Sequence, residues 1–83
     1  MTSGETRSLA ELGAGRRARI VEIVASGSEA TARRLGELGF TPGTMVEVVR
    51  RAPLRDPVVY RLKDYEICLR RAQAACIRTA EVV

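Results

Sequence analysis

Histidine and tryptophan are absent from this 83-residue chain, phenylalanine occurs once, tyrosine and cysteine twice each, and lysine only at Lys63. Each scarcity removes a class of chemistry. Without histidine no nucleophile–histidine pair can be built, and the serines and threonines stand in caps and turns, so the chain does not read as an enzyme. Two thiols cannot close a four-ligand zinc or iron–sulfur site. Cys68 and Cys76 read instead as small, partly buried fillers in strands, reduced as in the cytosol. Three aromatic rings are too few for a proline-peptide groove or a single-stranded nucleic-acid platform, and two of them, Phe40 and Tyr65, read as core. No run approaches the roughly 20 apolar residues of a membrane span, and MTSGETRS lacks the apolar stretch of a signal peptide, so a cytoplasmic protein is expected.

The chain is long enough for one domain only, and a domain of this size buries about 60% of its unfolded surface, which leaves no room for a drug-sized cavity. What it does have is arginine. Fourteen Lys and Arg stand against ten Asp and Glu, a formal charge of +4, and paired arginines recur at 16–17, 33–34, 50–51 and 70–71. Such pairs suit carboxylate or phosphate, but the interspersed carboxylates favour an ordinary solvated surface. Gly13-Ala14-Gly15 lacks the lysine and the preceding strand of a phosphate loop. Asp56, Asp64 and Glu66 are hard-cation ligands by chemistry, yet their spacing predicts no convergence, and no metal or cofactor site is assigned.

The chain pattern predicts a mainly β domain over 8–83 after a polar, frayed 1–7. Ser8 to Glu11 has capping-box spacing and forms one helical turn that carries Leu9 and Leu12 three apart. Arg17 to Ala25 is a strand with blurred alternation, so both its faces are expected to be partly covered. Ser26-Gly27-Ser28 turns the chain, and Ser28 caps a helix Glu29 to Leu38 with Leu35 and Leu38 inward and Arg33 and Glu37 four apart outside. Gly39 ends it, Phe40 anchors the exit, and Pro42-Gly43 sets a type II turn. Met45 to Arg51 is the next strand, with Val46 and Val48 on one face. Pro53 and Pro57 frame a loop that carries Leu54. Val58 to Leu62 and Tyr65 to Arg70 form a hairpin about Lys63-Asp64, with Tyr65, Ile67 and Leu69 inward. After a short helical turn at 71–75, Cys76 to Val82 pairs with the first strand.

The segments LGFTPGT, VEVVRRAPL, Asp56-Pro57 and YEICLRR, in that order, resemble the FeoA family of small proteins of bacterial ferrous-iron transport, along about Leu9 to Val82. The resemblance implies a small SH3-like β-barrel with one α-helix and short helical turns, and a role beside the membrane transporter FeoB. Arg55 and Asp64 stand where the family usually has glycine, and Cys68 is unusual in its strand.

Two functions follow. The first is a cytoplasmic accessory protein, a monomer or weak homo-oligomer, that docks on the cytosolic GTPase region of FeoB and so sits peripherally at the inner membrane. Its expected contact residues are Leu54 as apolar anchor, Arg51 and Arg55 at the rim, and Arg33 and Arg34, while Leu35, Leu38, Gly39, Phe40, Pro42 and Gly43 carry the structure. The alternative is a basic SH3-like nucleic-acid-binding or iron-regulator-type module. It rests on charge alone, so no nucleic-acid partner is expected.

Overall fold

The helix stop at Gly39 closes in the geometry its residue types demand. Gly39 holds φ +113°, in the region that favours glycine. Its N–H donates to the Gly36 carbonyl at 3.0 Å, and the Phe40 N–H donates to the Leu35 carbonyl at 3.1 Å. These are the two bonds of a Schellman cap, and the apolar pair that accompanies such a cap, Leu35 with Phe40, is wholly buried in the core. A computed structural model describes residues 6–24, 29–51 and 56–82, with Arg51 by its backbone only.

In chain order the elements are β1 (Arg7–Ser8), a 3-10 turn (Leu9–Glu11), β2 (Arg17–Ile23), α1 (Glu29–Glu37), β3 (Met45–Arg51), β4 (Val58–Leu62), β5 (Tyr65–Leu69), α2 (Arg71–Ala74) and β6 (Ile77–Val82). The strands form one six-stranded antiparallel sheet in the order β1-β6-β2-β3-β4-β5. The last long strand, β6, pairs with β2 as the pattern predicts, and also with β1. Arg7 is already in the ladder opposite Thr79, one residue before the expected start. Thr6 is held as well, its carbonyl accepting from the Arg78 guanidinium at 3.0 Å; residues 1–5 of the expected frayed end, the 26–28 turn and the Ser28 cap lie outside the described residues.

Alternation places the core. Ala18 and Ile20, Val46 and Val48, Val58, Tyr60 and Leu62, Leu69, and Ile77 turn to one side of the sheet and meet Leu9, Leu12, Leu35, Phe40 and Ala74. The 3-10 turn packs on α2 and β6, which draws the sheet's edges together at one end although β1 and β5 do not pair.

Several expectations change. The blurred alternation of β2 is a register shift between Ile20 and Glu22, so Val21 is the extra residue and stands 41% exposed rather than covered. Ser8 makes no side-chain cap bond, because it lies in β1 with its side chain buried; the turn closes instead through the Leu12 N–H on the Leu9 carbonyl, 3.2 Å. Tyr60, not Tyr65, joins Phe40 in the core. Tyr65 is 42% exposed, since among the described residues β5 has a strand neighbour on one side only and its start leaves the core. Cys68 is exposed on β5, while Cys76 is half-buried; both are free thiols.

Leu38 is only partly buried against the core, whereas Leu35 is wholly buried. Leu35→Ala is therefore expected to cost about 2–5 kcal/mol, and Leu38→Ala distinctly less. Equal losses on denaturant unfolding would contradict this difference in packing.

Candidate partner-binding surface

The turn that follows α1 is tied to the sheet on both sides. The Thr44 N–H donates to the Thr41 carbonyl at 3.1 Å, Gly43 holds φ +92°, and the two threonine hydroxyls lie 2.9 Å apart. These features make Thr41 to Thr44 the type II turn expected from Pro42-Gly43. The Gly43 N–H donates to the Ile20 carbonyl at 2.7 Å, and the Arg19 guanidinium donates to the Gly43 carbonyl at 3.1 Å. On the other side the Tyr65 hydroxyl donates to the Leu38 carbonyl at 2.9 Å, which fastens the helix end to the start of β5.

Register, and not spacing in the chain, assembles the outer face. Arg17 is opposite Glu47, Glu47 opposite Arg61, and Arg61 opposite Glu66, so four neighbouring strands carry a row of alternating charge. Arg61 donates to Glu66 at 2.9 Å and stands 3.6 Å from Glu47. The Glu66 bond chiefly, and the field of Glu47 with it, raise the Arg61 pKa further above its ordinary value, so this cation keeps its charge at any working pH. A shallow groove of about 210 Å³ runs beside the row, lined by Arg17, Met45, Val46, Glu47, Arg61 and Lys63. Among the described residues the remaining ion pair is Arg16 with Glu81, 2.8 Å; Arg33 and Glu37 do not pair.

Of the expected contact residues, the structure describes the side chains of Arg33 and Arg34 and the backbone of Arg51. Arg33 and Arg34 are exposed on α1, which joins β2 to the Met45 end of β3. Arg51 ends β3 at the opposite end, about 20 Å away at roughly 3.3 Å per residue. Leu54 and Arg55 lie outside the described residues, as does the Arg51 side chain. The carboxylates weighed for a cation do not converge. The Asp56 carboxylate accepts the Arg71 N–H at 3.0 Å, Glu66 is held by Arg61, and Asp64 is exposed. No three His, Cys, Asp or Glu side chains gather among the described residues. Sequence reasoning missed the charged row and the Tyr65 tether. The alternation of Val58, Tyr60 and Leu62 was the available signal that Tyr60 is core.

The profile of the FeoA domain family matches residues 7–80, nearly the whole sheet. The chain belongs to that family. A curated relative, the Fe(2+) transport protein A/Fe(2+) transporter FeoB fusion protein of Porphyromonas gingivalis, is 46% identical over 69 residues, which is 83% of this chain and 8% of that protein. The chain thus spans under a tenth of that relative's length. Among solved structures, the FeoA-like protein of Clostridium acetobutylicum is 25% identical with a TM-score of 0.86, covering 100% of this chain and 92% of that one. Stenotrophomonas maltophilia FeoA, described as a procaryotic SH3 domain protein complexed with zinc, is 28% identical with a TM-score of 0.78, covering 92% of this chain and 89% of that one. The fold is the SH3-like architecture of FeoA proteins, and membership links this chain to ferrous iron transport. No helix among the described residues is long and apolar enough to cross a membrane.

Proposed function

We propose that this protein is a non-catalytic accessory subunit of a ferrous iron transporter of the FeoB type, that it docks on the transporter's cytosolic GTPase region, and that it supports or modulates assembly or GTPase-linked uptake. The observation that carries the reading is the fused relative, in which a FeoA domain and the transporter share one chain. Two domains joined covalently in one organism face each other at high effective concentration, which favours the same contact between separate chains in another. Docking through the transporter places the protein at the cytoplasmic face of the membrane.

The alternating row Arg17, Glu47, Arg61, Glu66 weighs against the nucleic-acid alternative, because a phosphate backbone laid across it meets a carboxylate at every second strand. Retention of the protein on detergent-solubilised transporter, with much of the affinity kept at moderate salt, is the expected result of a pull-down with a salt series. A nucleic-acid binder making about 6–10 phosphate contacts loses roughly 10³–10⁵ in affinity between 50 and 200 mM salt. Tight DNA or RNA binding with that slope, and no retention of transporter at low salt, would overturn the accessory reading.

A further inference from the structure

The sheet has two edges, and they are guarded unequally. At one, β1 is two residues long and continues into the 3-10 turn. At the other, β5 is five residues long, and among the described residues no strand pairs with its free side. The usual protections of an edge are a proline, a bulge or a charged side chain left unpaired within the strand, and the one charge here, Glu66, is paired with Arg61. Tyr65 to Leu69, YEICL, has none of these, and its register with β4 is unbroken.

Hairpin geometry shows which backbone groups the edge offers. Leu62 and Tyr65 face each other across the Lys63-Asp64 turn, where Lys63 holds φ +55°. In so short a hairpin this closing pair exchanges hydrogen bonds, and bonded and non-bonded pairs then alternate along an antiparallel ladder. Tyr60↔Ile67 and Val58↔Leu69 are therefore bonded, and Arg61↔Glu66 and Val59↔Cys68 are not. The N–H and C=O groups of Glu66 and Cys68 point away from β4. Arg70 does not extend the edge, because its N–H donates to Gln73 Oε1 at 2.9 Å and its carbonyl accepts from Gln73 and Ala74. The open template is thus four backbone groups long.

The side chains around it set the occupant. Tyr65, 42% exposed, and half-buried Ile67 flank the template on the inner side of the sheet and offer apolar contact to alternate residues of an added strand. Lys63 stands at one end beside Asp64, and Arg70 and Arg71 stand at the other beside Asp56, all exposed, so the Arg70 end carries the net positive charge, while the Glu66 charge is met by Arg61. With the chain at +4, a second copy brings like charge to that end.

The geometry points to β5 as a docking strand for an extended segment of a partner, added antiparallel, with apolar residues at alternate positions and an acidic residue at the end beside Arg70. This deepens the accessory reading, the segment being expected on the transporter side, and its test begins without the transporter. The probe peptides are Asp-Val-Thr-Val-Thr-Asp and the same sequence with lysine at both ends. The acidic peptide is expected to bind about tenfold more tightly or better, and to slow amide exchange at Glu66 and Cys68 by about tenfold at saturation. Cys68→Pro removes only an N–H that faces away from β4, so it leaves the ladder intact and abolishes binding. Cys68→Asp, at an exposed position, weakens the acidic peptide by repulsion and serves if the proline variant does not fold. Equal affinity of the two peptides, unchanged exchange at Glu66 and Cys68, or concentration-dependent self-association that occupies β5 overturns the proposal. Transporter retained by Cys68→Pro as by the parent protein refutes the docking strand and leaves the accessory function standing; loss of retention by the parent protein refutes the accessory function alone.

Discussion

Gly39→Val is expected to be among the most damaging single substitutions in the chain, with a loss of about 2–6 kcal/mol, comparable with the whole stability of a domain this small. Two independent causes add. At φ +113° any side chain is strained, which costs about 1–3 kcal/mol. A Cβ at this position also collides with the Tyr65 hydroxyl and sits 3.3 Å from Leu62 Cδ1, an overpacking of about 1–3 kcal/mol. The causes separate in a double-mutant cycle. Tyr65→Phe alone loses the bond to the Leu38 carbonyl, about 0.5–1.5 kcal/mol. Combined with Gly39→Ala it removes the atom that the new methyl strikes, leaving Tyr65 Cζ at 3.5 Å, so the double variant is expected to be more stable than the two single losses sum to. Simple additivity in thermal and urea unfolding would show that the hydroxyl is not the obstacle, and an unchanged melting temperature for Gly39→Val would remove the helix stop from Gly39 altogether.

Phe40→Ala is expected to cost about 3–5 kcal/mol. The ring is fully buried, and it belongs to the residue whose N–H closes the cap of α1 on Leu35. Truncation therefore opens a cavity where helix and sheet meet and removes the apolar partner of Leu35. The contrast is Val21→Ala, at an exposed bulge position, for which a change within about 0.5 kcal/mol is expected. Urea titration of both variants checks this. A Phe40→Ala loss as small as that of Val21→Ala would mean that the core does not depend on the helix exit.

Much of the fold was legible in the sequence wherever one residue type answers one backbone requirement. Gly39 and Gly43 supply positive φ, Pro42 fixes the turn before Met45, and the period of two in MVEVV, VVYRL and YEICL sets out β3, β4 and β5. The FeoA family motifs are built largely from these residues, which is why the family was readable as well. Legibility failed where a neighbour outside the local window decides. The adjacent pair Ile20-Val21 reads the same whether a strand is covered on both faces or bulged, and only the pairing of β2 with β6 shows the bulge. Tyr65 alternates inward on paper, yet its burial depends on whether another strand lies beyond β5. The outer face was least legible, since Arg17, Glu47 and Arg61 lie far apart in the chain and only strand register sets them side by side.

The sequence alone determined the order and type of the elements apart from β1, the helix stop and turn, most of the core positions, and membership of the FeoA family. These follow from backbone conformational limits and from apolar spacing, which act within a few residues of each position. Tertiary structure decided the rest: the charged row of Arg17, Glu47, Arg61 and Glu66, the tether from Tyr65 to the end of α1, and the open edge at Glu66 and Cys68. The row spans four strands brought side by side by register, the tether joins a helix end to a strand 27 residues on, and the edge is open because no described strand lies beyond β5. Register is fixed by the packing of the whole sheet around its shared core, which no local window of sequence contains.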